Sequence, residues 1–221
     1  MAADAEELNP KDAETLHETY YKTYGLAIEG LVLYHKIDPL EYNSVVDDAL
    51  PLDQVLHSDL GLRKLISDMD RTKVRLWLFT NAYVTHAKRV VKLLGIEDLF
   101  DGITYCDYAQ EKLICKPQIA MFEKAMKEAS ITDRSNCYFV GKFFNFWHLE
   151  LNFMIQTLTG VKTNPDDTTI NCRAAISYGW ENTVQKLEPG DPEPPVPAAK
   201  HNIWNLEELR TLYPEFFKQP N

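Results

Sequence analysis

Three short clusters in this sequence carry groups that can handle a phosphorylated ligand. Thr80-Asn81 follows the apolar run Arg75-Leu-Trp-Leu-Phe79. A hydroxyl there, beside the N–H groups that open the next helix, suits a phosphate oxygen; capping that helix is the plainer role. Lys116 stands in Cys115-Lys116-Pro117, just before a helical stretch. From a crevice at the strand ends its ammonium can offset a carboxylate and a transferring phosphoryl group; at the surface it would be an ordinary solvated lysine. Asp166-Asp167 places adjacent carboxylates on a loop. Such a pair suits a hard cation such as Mg²⁺, or forms an exposed acidic turn.

The elements that must position these groups can be read from periodicity. Residues 1–58 read as helical. Pro10-Lys-Asp-Ala-Glu14 looks like a helix start, and Leu16, Tyr20, Tyr21, Tyr24 and Leu26 fall near one face. Further helices are expected over Glu29–His35 and near Pro39–Val46. From residue 61 the texture becomes strand–helix alternation. Leu62–Met69 reads as an amphipathic helix, and Arg75–Phe79 as a buried strand. Val84–Leu94 reads as a helix stopped by Gly95, and Ile103–Cys106 as a strand. Gln118–Ala129 reads as a helix and Cys137–Val140 as a third strand. This alternation predicts an α/β fold: a parallel sheet covered by helices on both faces. Ligands of such sheets bind beyond the carboxyl ends of the strands, where Thr80 and Lys116 fall. Gly141–Pro165 has no clear period. A helix is expected over Ile170–Ser177, and residues 188–199 read as a Pro-rich, acidic linker. Asn205 caps a last helix that ends before Pro214.

Composition narrows the function classes. The 221 residues are 45% hydrophobic, ordinary for a globular chain. Net charge is −10, from 33 acidic and 23 basic residues. No stretch gathers the basic residues that nucleic acid requires. The most apolar stretch, Phe143–Leu158, contains His148 and Glu150 and is too polar to span a membrane. The acidic N-terminus lacks the apolar core of a signal peptide. The four cysteines form no CxxC pair or zinc-finger spacing, as expected of reduced thiols. A cytoplasmic chain, also able to be nuclear, is expected.

Taken together, strand-Thr80, Lys116-Pro117-helix and Asp166-Asp167 resemble motifs II, III and IV of the haloacid dehalogenase superfamily. Longer stretches resemble its pyrimidine 5′-nucleotidase family: Tyr20-Tyr-Lys-Thr-Tyr-Gly-Leu-Ala-Ile28, Leu78-Phe-Thr-Asn-Ala-Tyr83, Leu94-Gly-Ile-Glu-Asp-Leu-Phe-Asp-Gly102 and Thr104-Tyr-Cys-Asp-Tyr108. The likeness covers residues 10–140 and resumes over 166–180. It implies a Rossmann-like core, residues 59–221, with residues 1–58 as most of a helical cap. It also implies a phosphomonoesterase that acts on nucleoside 5′-monophosphates through an aspartyl phosphate. Thr80, Asn81 and Lys116 would serve the phosphoryl group, and Asp166 and Asp167 would hold Mg²⁺. Tyr21 and Tyr24 would contact the base, or pack the cap's own core.

Two departures stand out. The family's first motif, roughly Asp-x-Asp-x-Thr after a core strand, supplies the attacking carboxylate and the general acid–base. Nothing before Tyr20 resembles it, so the chain reads as truncated and inactive as written. In the family that strand lies mid-sheet, between the strands bearing motifs II and IV. Its loss is expected to leave a gap, with unpaired backbone groups costing about 1–3 kcal/mol each against a net stability of about 5–15 kcal/mol. A poorly folded chain is expected. The second departure is Gly141–Pro165, which interrupts the fourth motif as an anomalous insertion. It reads as an inserted loop, an amphipathic helix or a retained intron. The intron reading rests on codons. Gly141-Lys142-Phe143 can be written GGT-AAG-TTT, which contains a splice donor, and Pro165-Asp166 can be CCA-GAY, which contains an acceptor. Excision would restore Val140-Asp-Asp167. A non-catalytic relative, binding a protein partner through Phe143–Leu158, is the other reading of both departures.

Overall fold

Asn9 opens the first helix: its side chain accepts from the Asp12 N–H at 3.0 Å, and Pro10 takes the first helical position. The computed structural model describes residues 9–144, 149–157, 169–187 and 197–219. Helix α1 (Pro10–Tyr24) ends at Gly25, which adopts a left-handed conformation with φ 77°. Helix α2 (Ala27–His35) follows and packs on α1. Gly30 lets the two approach, since a Cβ there would collide with the Tyr20 ring. The short α3 (Pro39–Tyr42) is capped by Asp38 and runs into a wider helical turn, Asn43–Asp47. Helices α4 (Leu52–Val55) and α5 (Leu60–Ser67) lead to the sheet.

The sheet and its helices follow in alternation. They are β1 (Val74–Phe79), α6 (Val84–Leu93), β2 (Gly102–Thr104), α7 (Ile119–Glu128), β3 (Cys137–Phe144), β4 (Leu149–Thr157), α8 (Thr169–Tyr178), β5 (Thr183–Lys186), β6 (His201–Ile203) and α9 (Leu209–Leu212). Side chains of β1 alternate between two cores. Val74, Leu76 and Leu78 join Leu65 and Ile66 of α5 and Val90 and Val91 of α6. Phe79 joins Phe122 of α7, Phe139 of β3 and Trp180. Helices therefore cover both faces, and the chain has the expected Rossmann-like α/β architecture.

The six strands lie in the order β2-β1-β4-β3-β5-β6. β1 with β2, β3 with β5 and β5 with β6 pair in parallel. β4 runs antiparallel to both its neighbours, with Leu78 opposite Phe153 and Val140 opposite Phe153. This corrects three expectations. The sheet is mixed, not wholly parallel. Its centre is not open, because β4 occupies the position between β1 and β3. The stretch from Gly141 is neither loop nor helix where it is described: it extends β3 to Phe144 and then forms β4. The expected penalty of unpaired central backbone therefore does not arise, since β4 satisfies the facing edges of β1 and β3. The second strand ends at Thr104, earlier than Cys106. β5 and β6 were not expected, while most of the linker at 188–199 falls outside the described residues. The expected terminal helix is capped by Asn205 as a reciprocal capping box, but begins as a tighter turn over Leu206–Glu208.

Candidate active site

The turn that leaves β1 is clamped to the turn that precedes α7 through one side chain. Asn81 Oδ1 accepts from the Lys116 N–H at 2.7 Å. Its amide nitrogen donates to the Lys116 carbonyl at 3.0 Å and to the Gly25 carbonyl at 3.1 Å. Asn81 is 3% exposed, so these bonds form away from water and specify position strongly. Its amide holds backbone in place, so Asn81 positions the site.

Thr80 sits at the carboxyl end of β1, buried. Its N–H donates to Thr104 O at 2.9 Å, which ties it to the end of β2. Its Oγ1 accepts from the Ala82 N–H at 3.1 Å, shaping the turn. No side chain caps α6, which starts four residues later. Lys116 is wholly buried, at 0% exposure, which excludes the solvated-lysine role. Its Nζ donates to the Phe79 carbonyl at 3.3 Å and lies 5.2 Å and 5.4 Å from the ring centres of Phe79 and Phe139. Both distances suit a cation against an aromatic face. The ammonium thus stands at the end of β1 and against Phe139 within β3, with Thr80 the next residue after Phe79.

The N-terminal helices are joined to this turn. At Gly25 an added Cβ would collide with the Lys116 carbonyl and the Pro117 ring. Between these helices and the Asn81-Ala82 turn lies a cavity of about 270 Å³. Leu26, Ile28, Val46 and Leu50 supply apolar wall. Asp47, His86, Tyr42 and Tyr108 also line it. Burial, reinforced by the charge of Asp48, pushes the Asp47 carboxyl up to about 6. Burial and then the Asp47 charge push the Tyr42 hydroxyl up to about 12 and raise that of Tyr108 well above its usual value. His86 is lowered by burial. Its Nδ1 donates to the Asp47 carbonyl at 3.1 Å, which leaves Nε2 as an acceptor.

The expected site residues divide as follows. Thr80, Asn81 and Lys116 are brought together. Tyr21 lines the cavity. Tyr24 instead packs on Tyr20 and Tyr34, with its hydroxyl 2.7 Å from that of Tyr34. Asp166 and Asp167 lie outside the described residues. Among the described residues no three His, Cys, Asp or Glu side chains group as a metal site. Gly25, Asp47, His86 and Tyr108 were not singled out from sequence. The Gly25 signal was present, as a glycine closing a helical stretch.

A haloacid dehalogenase-like hydrolase family model matches residues 5–144. The chain belongs to this family. It is also 38% identical over 185 residues to phosphate metabolism protein 8 of Saccharomyces cerevisiae, a match covering 80% of this chain and 50% of that protein. The chain thus spans about half the length of that curated relative. The haloacid dehalogenase-like match takes in Thr80, Asn81, Lys116 and β3 to Phe144, and stops before β4. The central antiparallel strand therefore lies outside the part matched by the family model. No described helix is long and apolar enough to cross a membrane.

Proposed function

We propose that this chain carries the phosphate-handling half of a phosphomonoesterase site for nucleoside 5′-monophosphates, of the pyrimidine 5′-nucleotidase type. The observation that supports it is the burial of Lys116 at the end of β1, next to Thr80 and against Phe139 of β3. A buried ammonium at a strand end is placed to offset the charge of an anion bound there. Thr80 donates to a phosphoryl oxygen, Lys116 offsets its charge, and Asn81 holds the two turns in register. Helices α1–α3, within the proposed cap of residues 1–58, cover the nucleoside. Mg²⁺, held by Asp166 and Asp167, would neutralise phosphate charge.

The chain as written binds the ester but does not turn it over. Turnover in the proposed scheme needs an attacking Asp between β1 and β3. That position holds β4, Leu149-Glu-Leu-Asn-Phe-Met-Ile-Gln-Thr157, which contains no Asp. The same strand favours a second reading, a non-catalytic member of the family that retains ligand binding. The test uses the purified chain with cytidine 5′-monophosphate and Mg²⁺. Calorimetry is expected to detect binding that Lys116→Met weakens at least tenfold, with no release of phosphate. Phosphate release abolished by Lys116→Ala would overturn the inactive reading. Binding indifferent to Lys116→Met would overturn the site.

A further inference from the structure

The cavity between α1–α3 and the Asn81-Ala82 turn is rich in acceptors. Among the described residues nothing donates a hydrogen bond to the Asp47 carboxylate. The charge of that carboxylate acts on both Tyr42 and Tyr108, which places it among the polar groups of the cavity. His86 spends its N–H on the Asp47 carbonyl, so its remaining nitrogen also accepts. The surrounding wall is apolar, and Tyr21 adds a ring surface. A volume of about 270 Å³ suits a single flat group and not a whole nucleotide. One end of the cavity is Asn81-Ala82, immediately after Thr80. A ligand with phosphate near Thr80 and Lys116 can therefore place its far end here.

We propose that Asp47 reads the base of the ligand, accepting a hydrogen bond from an exocyclic ring amino group, so that the cavity selects cytosine-type over uracil-type nucleosides. This rests on the nucleotide reading of the adjoining site. An oxo group in the same place would bring a second acceptor toward an unpartnered carboxylate. An amino group supplies the missing donor and relieves it. Asp47 is a specificity-determining residue. It touches the base and takes no part in phosphoryl transfer.

The test measures binding of cytidine, uridine and inorganic phosphate separately to the full chain, by calorimetry, for wild type, Asp47→Ala, Asp47→Asn and Lys116→Met. The expected wild-type result is cytidine bound at least tenfold tighter than uridine. Asp47→Ala should erase that preference and leave phosphate affinity unchanged. Asp47→Asn, which keeps one acceptor and the side-chain shape, should keep part of the preference. Equal affinities for the two nucleosides, a preference that survives Asp47→Ala, or no nucleoside binding would each overturn the proposal. If phosphate ignores Lys116→Met while the cytidine preference still depends on Asp47, the phosphate reading fails and this one stands. Circular dichroism of each variant separates lost contacts from lost fold.

Discussion

Asn81 holds the Lys116 peptide from both sides, accepting from its N–H at 2.7 Å and donating to its carbonyl at 3.0 Å. The third bond, to Gly25 O, adds the end of α1 to the same clamp. Asn81→Ala removes all three. It is expected to cost about 2–4 kcal/mol in urea denaturation, from unsatisfied buried partners. Asn81→Asp should be worse than Ala, because it sets a carboxylate against two carbonyl oxygens and loses both donors. Equal midpoints for the two variants would show that the clamp contributes little.

Gly25 is held at φ 77°, and an added Cβ there meets the Lys116 carbonyl and the Pro117 ring. Gly25→Ala combines a strained backbone with a steric collision. A loss of at least about 2 kcal/mol is expected. Limited proteolysis should cut near residues 25–27 faster in the variant than in wild type. Unchanged proteolysis would mean that α1 does not depend on this contact.

Phe153 of β4 pairs with Leu78 on one side and Val140 on the other. Phe153→Pro removes a donor from the centre of the sheet and is expected to cost about 3 kcal/mol or more. Deleting Gly141–Pro165 should leave the facing edges of β1 and β3 unpaired and yield insoluble protein. A soluble, cooperatively unfolding deletion chain would show that β4 is dispensable. Sequencing the mature transcript tests the intron reading separately: retention of all codons of Gly141–Pro165 rejects it.

Asp47 makes stability depend on pH in an unusual direction. Its carboxyl rises from 3.8 to about 6 on folding. Its favourable contribution is fully present below the unfolded value and is lost as pH rises through about 6. Asp48, Tyr42, Tyr108, His86 and His17 are its titratable neighbours around the cavity. Asp47→Asn should therefore stabilise the chain at pH 7.5, by up to about 1–3 kcal/mol, and change little near pH 3.5. Melting temperatures at both pH values check this. Equal gains at the two pH values would exclude titration as the cause.

Much of the fold was legible because local signals and tertiary packing agree. Pro10, Gly95 and Asn205 mark helix ends where the structure has them. Thr80 and Lys116 could be found because a buried strand and a Pro-marked turn locate strand ends. β4 was missed although Leu149, Leu151, Phe153 and Ile155 alternate with Glu150, Asn152, Met154 and Gln156. Met154 on the polar side and the aromatics Phe143, Phe144, Phe146 and Trp147 just before the strand blur that period of two. β5 is only four residues long and three of them are polar, Thr-Val-Gln-Lys, so its burial is a property of its neighbours. Asp47 could not be singled out, because Asp47-Asp48 looks like any acidic turn. Only the helices folded over it make one of the pair a half-buried acceptor.

The position of β4 also bears on the order in which the chain can assemble. Among the described strands, β4 alone joins the β1–β2 pair to the β3–β5–β6 group. Arg75 meets Gln156 across that junction, so β1 must wait for residues far downstream. The β3–β4 pairing is local by comparison, with Phe144 opposite Leu149. During synthesis the hairpin can form early and then recruit β1, at the entropic cost of closing the long intervening loop. Until Thr157 has left the ribosome, the two halves of the sheet have no backbone connection between them. A nascent chain stalled before that residue should remain open to proteolysis between β1 and β3, and one stalled after the hairpin has emerged should close.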